Sequence, residues 1–267
     1  MWTNRTWRAM HRCGFIPILL GFLMAFLSCA DLLGDRTEIP RRRFYLIGAE
    51  PIRYGLKGSE RPYPFHVQVK TFDVQRAYSR NEIIFRRDRY ELQRDSFHSW
   101  AVRPGDMITD AIQQYFRAAT LFTKVAGDRD FLDERPDFML SGKVKVLERY
   151  DSGDLWSARL AMSMELMRQE DARVIWRADF DRERQVFNPD MSHTVAAFSE
   201  LLRTQMEQYL RDIDFIFLNM KRSQEGTPLE PLPSMSDTSF VASSPDTIEG
   251  ISTHRIDYEL IPGKLAP

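Results

Sequence analysis

Residues 156–180, WSARLAMSMELMRQEDARVIWRADF, decide the fold. Trp156, Ala158, Leu160, Met162, Met164 and Leu166 fall two apart, with Ser157, Arg159, Ser163 and Glu165 between them. A strand sends successive side chains to opposite faces, so this period gives one packed face and one wet face. The polar run Gln169–Ala172 reads as a turn. Val174, Trp176, Ala178 and Phe180 then repeat the pattern opposite Arg173, Arg177, Asp179 and Asp181. Two such strands make a hairpin, and one-sided alternation is typical of antiparallel sheets.

The same period extends upstream. Phe138, Leu140, Val144 and Val146 line one face of a preceding strand. Further back, Phe44–Ile47 reads as a first strand, and Phe65–Val74 as a second with Val67, Val69 and Thr71 on one face. Ile83–Phe85 and Tyr90–Leu92 form a hairpin around Arg87-Asp88-Arg89. Glu50–Pro64, with three prolines and two glycines, reads as a loop. Two stretches switch to helical spacing. Pro104 opens PGDMITDAIQQYFRAATLF; proline suits the first turn, where its missing N–H has no intrahelical partner. Ile108, Ala111, Ile112, Tyr115, Ala119 and Phe122 make its stripe. From Ser192 to Phe217, Val195, Phe198, Leu202, Met206, Tyr209, Ile213 and Phe217 make another. The fold class predicted is α+β: an antiparallel sheet covered on one face by two helices.

At the N-terminus, Arg5, Arg8 and Arg12 precede the uncharged run Gly14–Leu27, GFIPILLGFLMAFL, and then Ser28 and Cys29. Charged start, short apolar run and small residue are the plan of an export signal. The run is shorter than the ~20 residues a spanning helix needs. F-L-S-C (Phe26–Cys29) resembles a bacterial lipobox, with Phe26 and Leu27 departing from the usual residues and Ser28 and Cys29 matching. Acylation of Cys29 would anchor the chain, each buried CH₂ adding ~0.8 kcal/mol. The predicted division is 1–28 signal peptide, 29–43 tether, 44–219 folded domain and 220–267 mostly disordered Pro/Ser-rich tail. Within the tail, Arg255–Ile261 (RIDYELI) reads either as scattered apolars or as a strand able to add to a sheet edge.

With 43% hydrophobic and 28% charged residues and a net charge of -1, the chain fits an ordinary globular class. No clustered basic face points to nucleic acid. Arg41–Arg43 is a solvated linker or a headgroup-attracting run. The two cysteines, Cys13 and Cys29, leave none for a disulfide, zinc site or thiol nucleophile in the body. His66, His98, His193 and His254 show no metal-ligand spacing, and no phosphate loop or GxSxG occurs. His98, beside two serines in S-F-H-S-W, reads as a surface or interface histidine, since sequence neighbours rarely form a nucleophile–base pair. The methionines Met162, Met164 and Met167 read as core or as an adaptable lipid groove. No enzyme, cofactor or metal is expected.

Together, Cys29, Phe44-Tyr45-Leu46, Val67-Gln68-Val69, Tyr78, Glu82–Arg86, Phe138–Gly142, Trp156 and Val174-Ile175-Trp176 resemble the ABC-type transport auxiliary lipoproteins, the family of paraquat-inducible protein C. Phe97-His98-Ser99-Trp100-Ala101-Val102-Arg103-Pro104 resembles that family's signature before the first helix. The resemblance covers about Phe44–Phe217. It implies an anticodon-binding-like or TolB-N-like fold, a lipid anchor on the periplasmic face of the outer membrane, and partners: an MCE-domain protein with its ABC transporter, moving lipids. In it Phe97, His98, Trp100 and Pro104 are structural residues at a strand-to-helix corner. A ring-shaped homo-oligomer follows from family analogy alone. The alternative is an envelope-assembly or structural lipoprotein that binds another protein through its free sheet face or its tail.

Overall fold

The computed structural model describes residues 41–49, 61–131, 135–226 and 228. The signal, Cys29 and most of the tether and the tail, with Arg255–Ile261, lie outside the described residues. In chain order the strands are β1 (Arg43–Tyr45), β2 (Tyr63–Val69), β3 (Asp73–Val74), β4 (Glu82–Arg86) and β5 (Leu92–Trp100). Helix α1 (Pro104–Ala119) follows, then β6 (Phe122–Gly127), β7 (Phe138–Asp151), β8 (Trp156–Arg168), β9 (Val174–Val186) and helix α2 (Met191–Glu225).

The predicted hairpin is β8–β9, and β7 joins it antiparallel along thirteen residue pairs. The rest of the sheet is not antiparallel. The expected antiparallel sheet is a mixed one: β2, β3 and β4 lie in succession along the other edge of β7, each parallel to it. Parallel pairs also join β1 to β5 and β2 to β6. The chain from β2 to β4 thus accompanies one long strand in three pieces, with residues 70–72 and 75–81 looped out between them. Residue patterns report which face is buried and not which neighbour runs alongside, which is how the parallel partners escaped sequence reading.

Two close approaches fix how α1 meets this edge. Phe72, in the first loop, lays its ring over Gly142 of β7; a Cβ there would collide with Phe72 Cε1 and stand 2.6 Å from the Ser163 carbonyl oxygen. A Cβ on Gly105 would stand 2.8 Å from the Phe72 carbonyl oxygen. Thr109 of α1 completes the clamp, its hydroxyl accepting from Phe72 N–H at 2.9 Å and donating to Gly105 O at 2.7 Å. α1 ends at Thr120, in the left-handed region with φ 51°. The predicted helix had run on through Phe122, because Phe122 continues the stripe at a three-residue step; it instead begins β6.

α2 starts on Asp190, whose carboxylate accepts from Ser192 N–H at 2.8 Å. Its predicted stripe, Val195 to Phe217, is buried throughout. The helix continues to Glu225, past the expected end of the domain at 219, and closes on Gly226 at φ 66°. Val174, expected on the packed face of β9, is exposed. Leu166 pairs with Trp176 and Met167 with Val174, so an extra residue shifts the alternation there. Phe217 carries the core to the far end of α2, its ring 4.9–5.6 Å from those of Tyr63, Phe65, Phe122 and Phe138. Beside it, Arg61 and the Tyr63 hydroxyl both bond the Asp214 carboxylate, Arg61 Nε at 2.5 Å and the hydroxyl at 2.9 Å.

Candidate functional site

Phe97, His98, Trp100 and Pro104 lie where β5 gives way to α1. β5 bulges between its two registers with β4: two steps on β4, Glu82 to Ile84, match five on β5, Ser99 to Arg94. Asp95 organises the bulge. Its Oδ1 accepts from Phe97 N–H (2.8 Å) and His98 N–H (2.9 Å), and its Oδ2 lies 2.8 Å from His98 Nδ1. The ring of Tyr45 sits 5.7 Å from that of His98. His98 is therefore held by a carboxylate and an aromatic ring that sequence reading did not pair with it. Phe97 is pushed outward and exposed.

Trp100 is buried, edge-on to Phe198 of α2 at 5.9 Å. Its N–H donates to Asn81 O at 2.6 Å, and Ala101 N–H donates to Tyr45 O at 2.8 Å. Pro104 is the first residue of α1 and is buried. His98 and Trp100 thus join β1, the start of β4 and α2 ahead of Pro104, while Phe97 faces outward. Cys29, the fifth candidate, lies outside the described residues.

The sheet curls until its edge strands approach each other across the start of α2. Arg43 of β1 meets Asp190 at 3.5 Å. Between them opens a cleft of about 840 Å³, with Tyr45, Leu46 and Gly48 on one wall and 184–188 on the other. Ser192, His193, Glu200 and Arg203 of α2 contribute to its lining. Gly48 N–H donates to Ser199 Oγ at 3.0 Å, pinning the first wall to the helix. Arg203 bonds Glu200 at 2.5 and 2.9 Å and also pairs with Glu207. That guanidinium holds the Glu200 carboxyl below its ordinary range. The spacing that finds this network is legible, since Glu200, Arg203 and Glu207 stand three and four residues apart on one helix. The lining carries both charge signs, mutually paired, and presents no nucleophile with a base. Among the described residues no cluster could hold a metal ion, and no helix is long and apolar enough to cross a membrane.

A family, the ABC-type transport auxiliary lipoprotein component, matches residues 45–208, from the last residue of β1 into α2. This chain belongs to that family. The match spans every strand from β2 to β9, the Phe97–Pro104 corner and α1. Among solved structures, a Xanthomonas campestris protein of the DUF330 family is similar at 20% identity, covering 68% of this chain and 99% of that one with a TM-score of 0.56. An uncharacterized protein is similar at 11% identity over 65% and 99%, with a TM-score of 0.51. At these identities both show the fold alone. Among curated proteins, none matches the sequence. The auxiliary lipoprotein is thus a member of a transport family.

Proposed function

We propose that this auxiliary lipoprotein is anchored through an acylated Cys29 to the periplasmic face of the outer membrane, where it docks the MCE component of an ABC-type lipid transport system. In this reading residues 1–28 are removed as a signal peptide, 29–43 tether the body and the tail hangs beyond α2. The family match over 45–208 carries the proposal. The apolar run 14–27 ending at Ser28-Cys29 supports the anchor, and the curled sheet with its paired-ion cleft suits a docking role. Homo-oligomerisation belongs to the same proposal.

Two measurements test it. Cys29→Ser abolishes incorporation of labelled fatty acid; continued incorporation refutes acylation at that residue. Affinity capture of the intact chain from membranes recovers an MCE-domain protein with its permease and ATPase. Capture without them, from cells whose lipid asymmetry survives deletion of the protein while envelope assembly fails, supports the assembly role in its place.

A further inference from the structure

The strand directions collect several chain ends at one end of the sheet. β5 starts there, β4 ends there, β7 ends and β8 starts there, and β9 ends there. β1 runs parallel to β5, so the chain enters the body heading away from that end, with Arg43 opposite His98, six residues along β5 from its start. Arg42 Nε, donating to Ser96 O at 3.5 Å, continues this direction. Three turns project here, and each carries one large apolar side chain among polar neighbours. Tyr90 in Arg87–Glu91 is 89% exposed, Leu155 in Ser152–Leu155 is 56% exposed, and Phe187 in Phe187–Asp190 is 85% exposed. Asp88 Oδ1 accepts from the N–H groups of Tyr90 (2.7 Å) and Glu91 (2.9 Å), so the first turn is built. The guanidinium of Arg89 lies 5.8 Å from the Tyr90 ring centre.

We infer that this end of the sheet faces the bilayer, with Tyr90, Leu155 and Phe187 dipping into the lipid interface as a second contact beside the acyl anchor. The inference rests on the anchoring of Cys29 proposed above. Three observations select lipid as the occupant. Cys29 lies fourteen residues before Arg43, a chain length of at most about 50 Å, which reaches past the part of β5 between His98 and Leu92, and β1 runs into the body from the direction of that end. The three side chains sit on separate turns across β5, β4, β7, β8 and β9, so at ~4.8 Å per strand the outer two stand roughly 15–20 Å apart. Isolated points suit a soft interface, whereas a protein interface needs a contiguous apolar core. The side chains themselves are an aromatic with a polar tip beside Arg89, a leucine and a phenylalanine, which is interfacial chemistry. Arg87 and Arg89 are balanced by Asp88 and Glu91, and Asp190 is paired with Arg43, so apolar insertion and not charge is the attraction.

The cysteine content makes a direct test. A mature chain with acylated Cys29 holds no other thiol, so Tyr90→Cys, Leu155→Cys and Phe187→Cys each accept one environment-sensitive fluorophore. Val174→Cys, exposed at the opposite end of β9, is the control. The full lipidated chain is reconstituted into vesicles of phosphatidylethanolamine with a minority of phosphatidylglycerol. The expected result is that emission from positions 90, 155 and 187 moves to shorter wavelength, rises several-fold and is quenched by nitroxide-labelled lipid, while position 174 stays water-like. Flotation with the vesicles while the three tips match the control overturns the inference and leaves the anchor standing. Dye uptake by the chain without an added cysteine, or failure to float, overturns the anchor and this inference with it. Tips already shielded before vesicles are added assign the surface to a second copy of the chain and overturn the lipid contact.

Discussion

Gly142→Ala tests the packing that joins the sheet to α1. The position lies on the packed face of β7 between Leu140 and Val144, both fully buried. An added Cβ meets two things there: the Phe72 ring, and the Ser163 carbonyl oxygen of the neighbouring strand at 2.6 Å. The ring can tilt; the carbonyl belongs to the β7–β8 ladder and moves only with it. Overpacking a core costs about 1–3 kcal/mol when side chains absorb it, and more when backbone must shift. We therefore expect a loss of about 3 kcal/mol, a fall of roughly 6–12 °C in Tm for a domain of this size. Thermal unfolding followed by circular dichroism reads it. Combining Gly142→Ala with Phe72→Leu tests the partner: the double variant should lose less than the two single losses added, because the shorter side chain vacates part of the clash. A Tm within about 2 °C of the parent for Gly142→Ala, or strict additivity in the double variant, refutes the close approach of Phe72 to β7.

Two further outcomes follow from buried charge. Asp214→Ala removes the carboxylate shared by Arg61, whose side chain is only 9% exposed, and the Tyr63 hydroxyl, leaving that hydroxyl the Asp214 backbone carbonyl at 3.2 Å. Denaturant titration should show a loss of about 3 kcal/mol, and a loss under about 1 kcal/mol contradicts the arrangement. Asp212 behaves oppositely: burial pushes its carboxyl up to about 6, with Arg211 offsetting part of the effect. A raised carboxyl pKa gives a stability contribution that is complete below about pH 4 and lost as pH rises through 6. Asp212→Asn should therefore stabilise by about 1–2 kcal/mol near pH 7.5 and hardly at all near pH 4; an equal gain at both refutes the titration.

The parts of the fold legible in the sequence are those in which one face is buried along a regular element. β7, β8 and β9 declared themselves by a period of two, and α2 by seven apolar residues at helical steps, all buried. The start of α1 was legible for a different reason: proline suits a first helical turn, and Pro104 stands there. What stayed hidden is tertiary. β3 has two residues and no period, and β6 was absorbed into the stripe of α1. The Asp95–His98 pairing depends on a bulge created by β4, which lies more than ten residues away in sequence. Glu148 was unreadable in the same way. It is almost fully buried, and it gathers the Tyr78 hydroxyl at 2.5 Å and Arg86 Nε at 2.7 Å from segments over sixty residues upstream. The tip residues Tyr90, Leu155 and Phe187 did leave a signal, a lone large apolar residue inside an otherwise polar turn.

The wet face of β8 and β9 bears on which function the body can serve. Arg159 bonds Asp181 at 2.7 and 2.9 Å, Arg177 bonds Glu165 at 2.8 Å, Lys145 reaches Asp179, and Ser157 donates to Glu183. Each exposed pair contributes little to stability, on the order of 0–1 kcal/mol. Their larger effect is on association. β9 pairs only with β8 among the described strands, and charges at Arg177, Asp179, Asp181 and Glu183 alternate along it. An edge strand lined with charge is a poor template for another chain, because docking must desolvate groups that already have partners. The broad sheet face is the surface an assembly lipoprotein would use to bind its client, and here its polar groups satisfy one another. Of the large apolar groups left exposed, Phe44 lies on β1, Leu92 and Phe97 on β5, and Tyr90, Leu155 and Phe187 on three separate turns, while on β9 only Val174, at its start, is exposed. A body built this way keeps its sheet face solvated, which fits the anchored transport component proposed above better than a sheet-face binder.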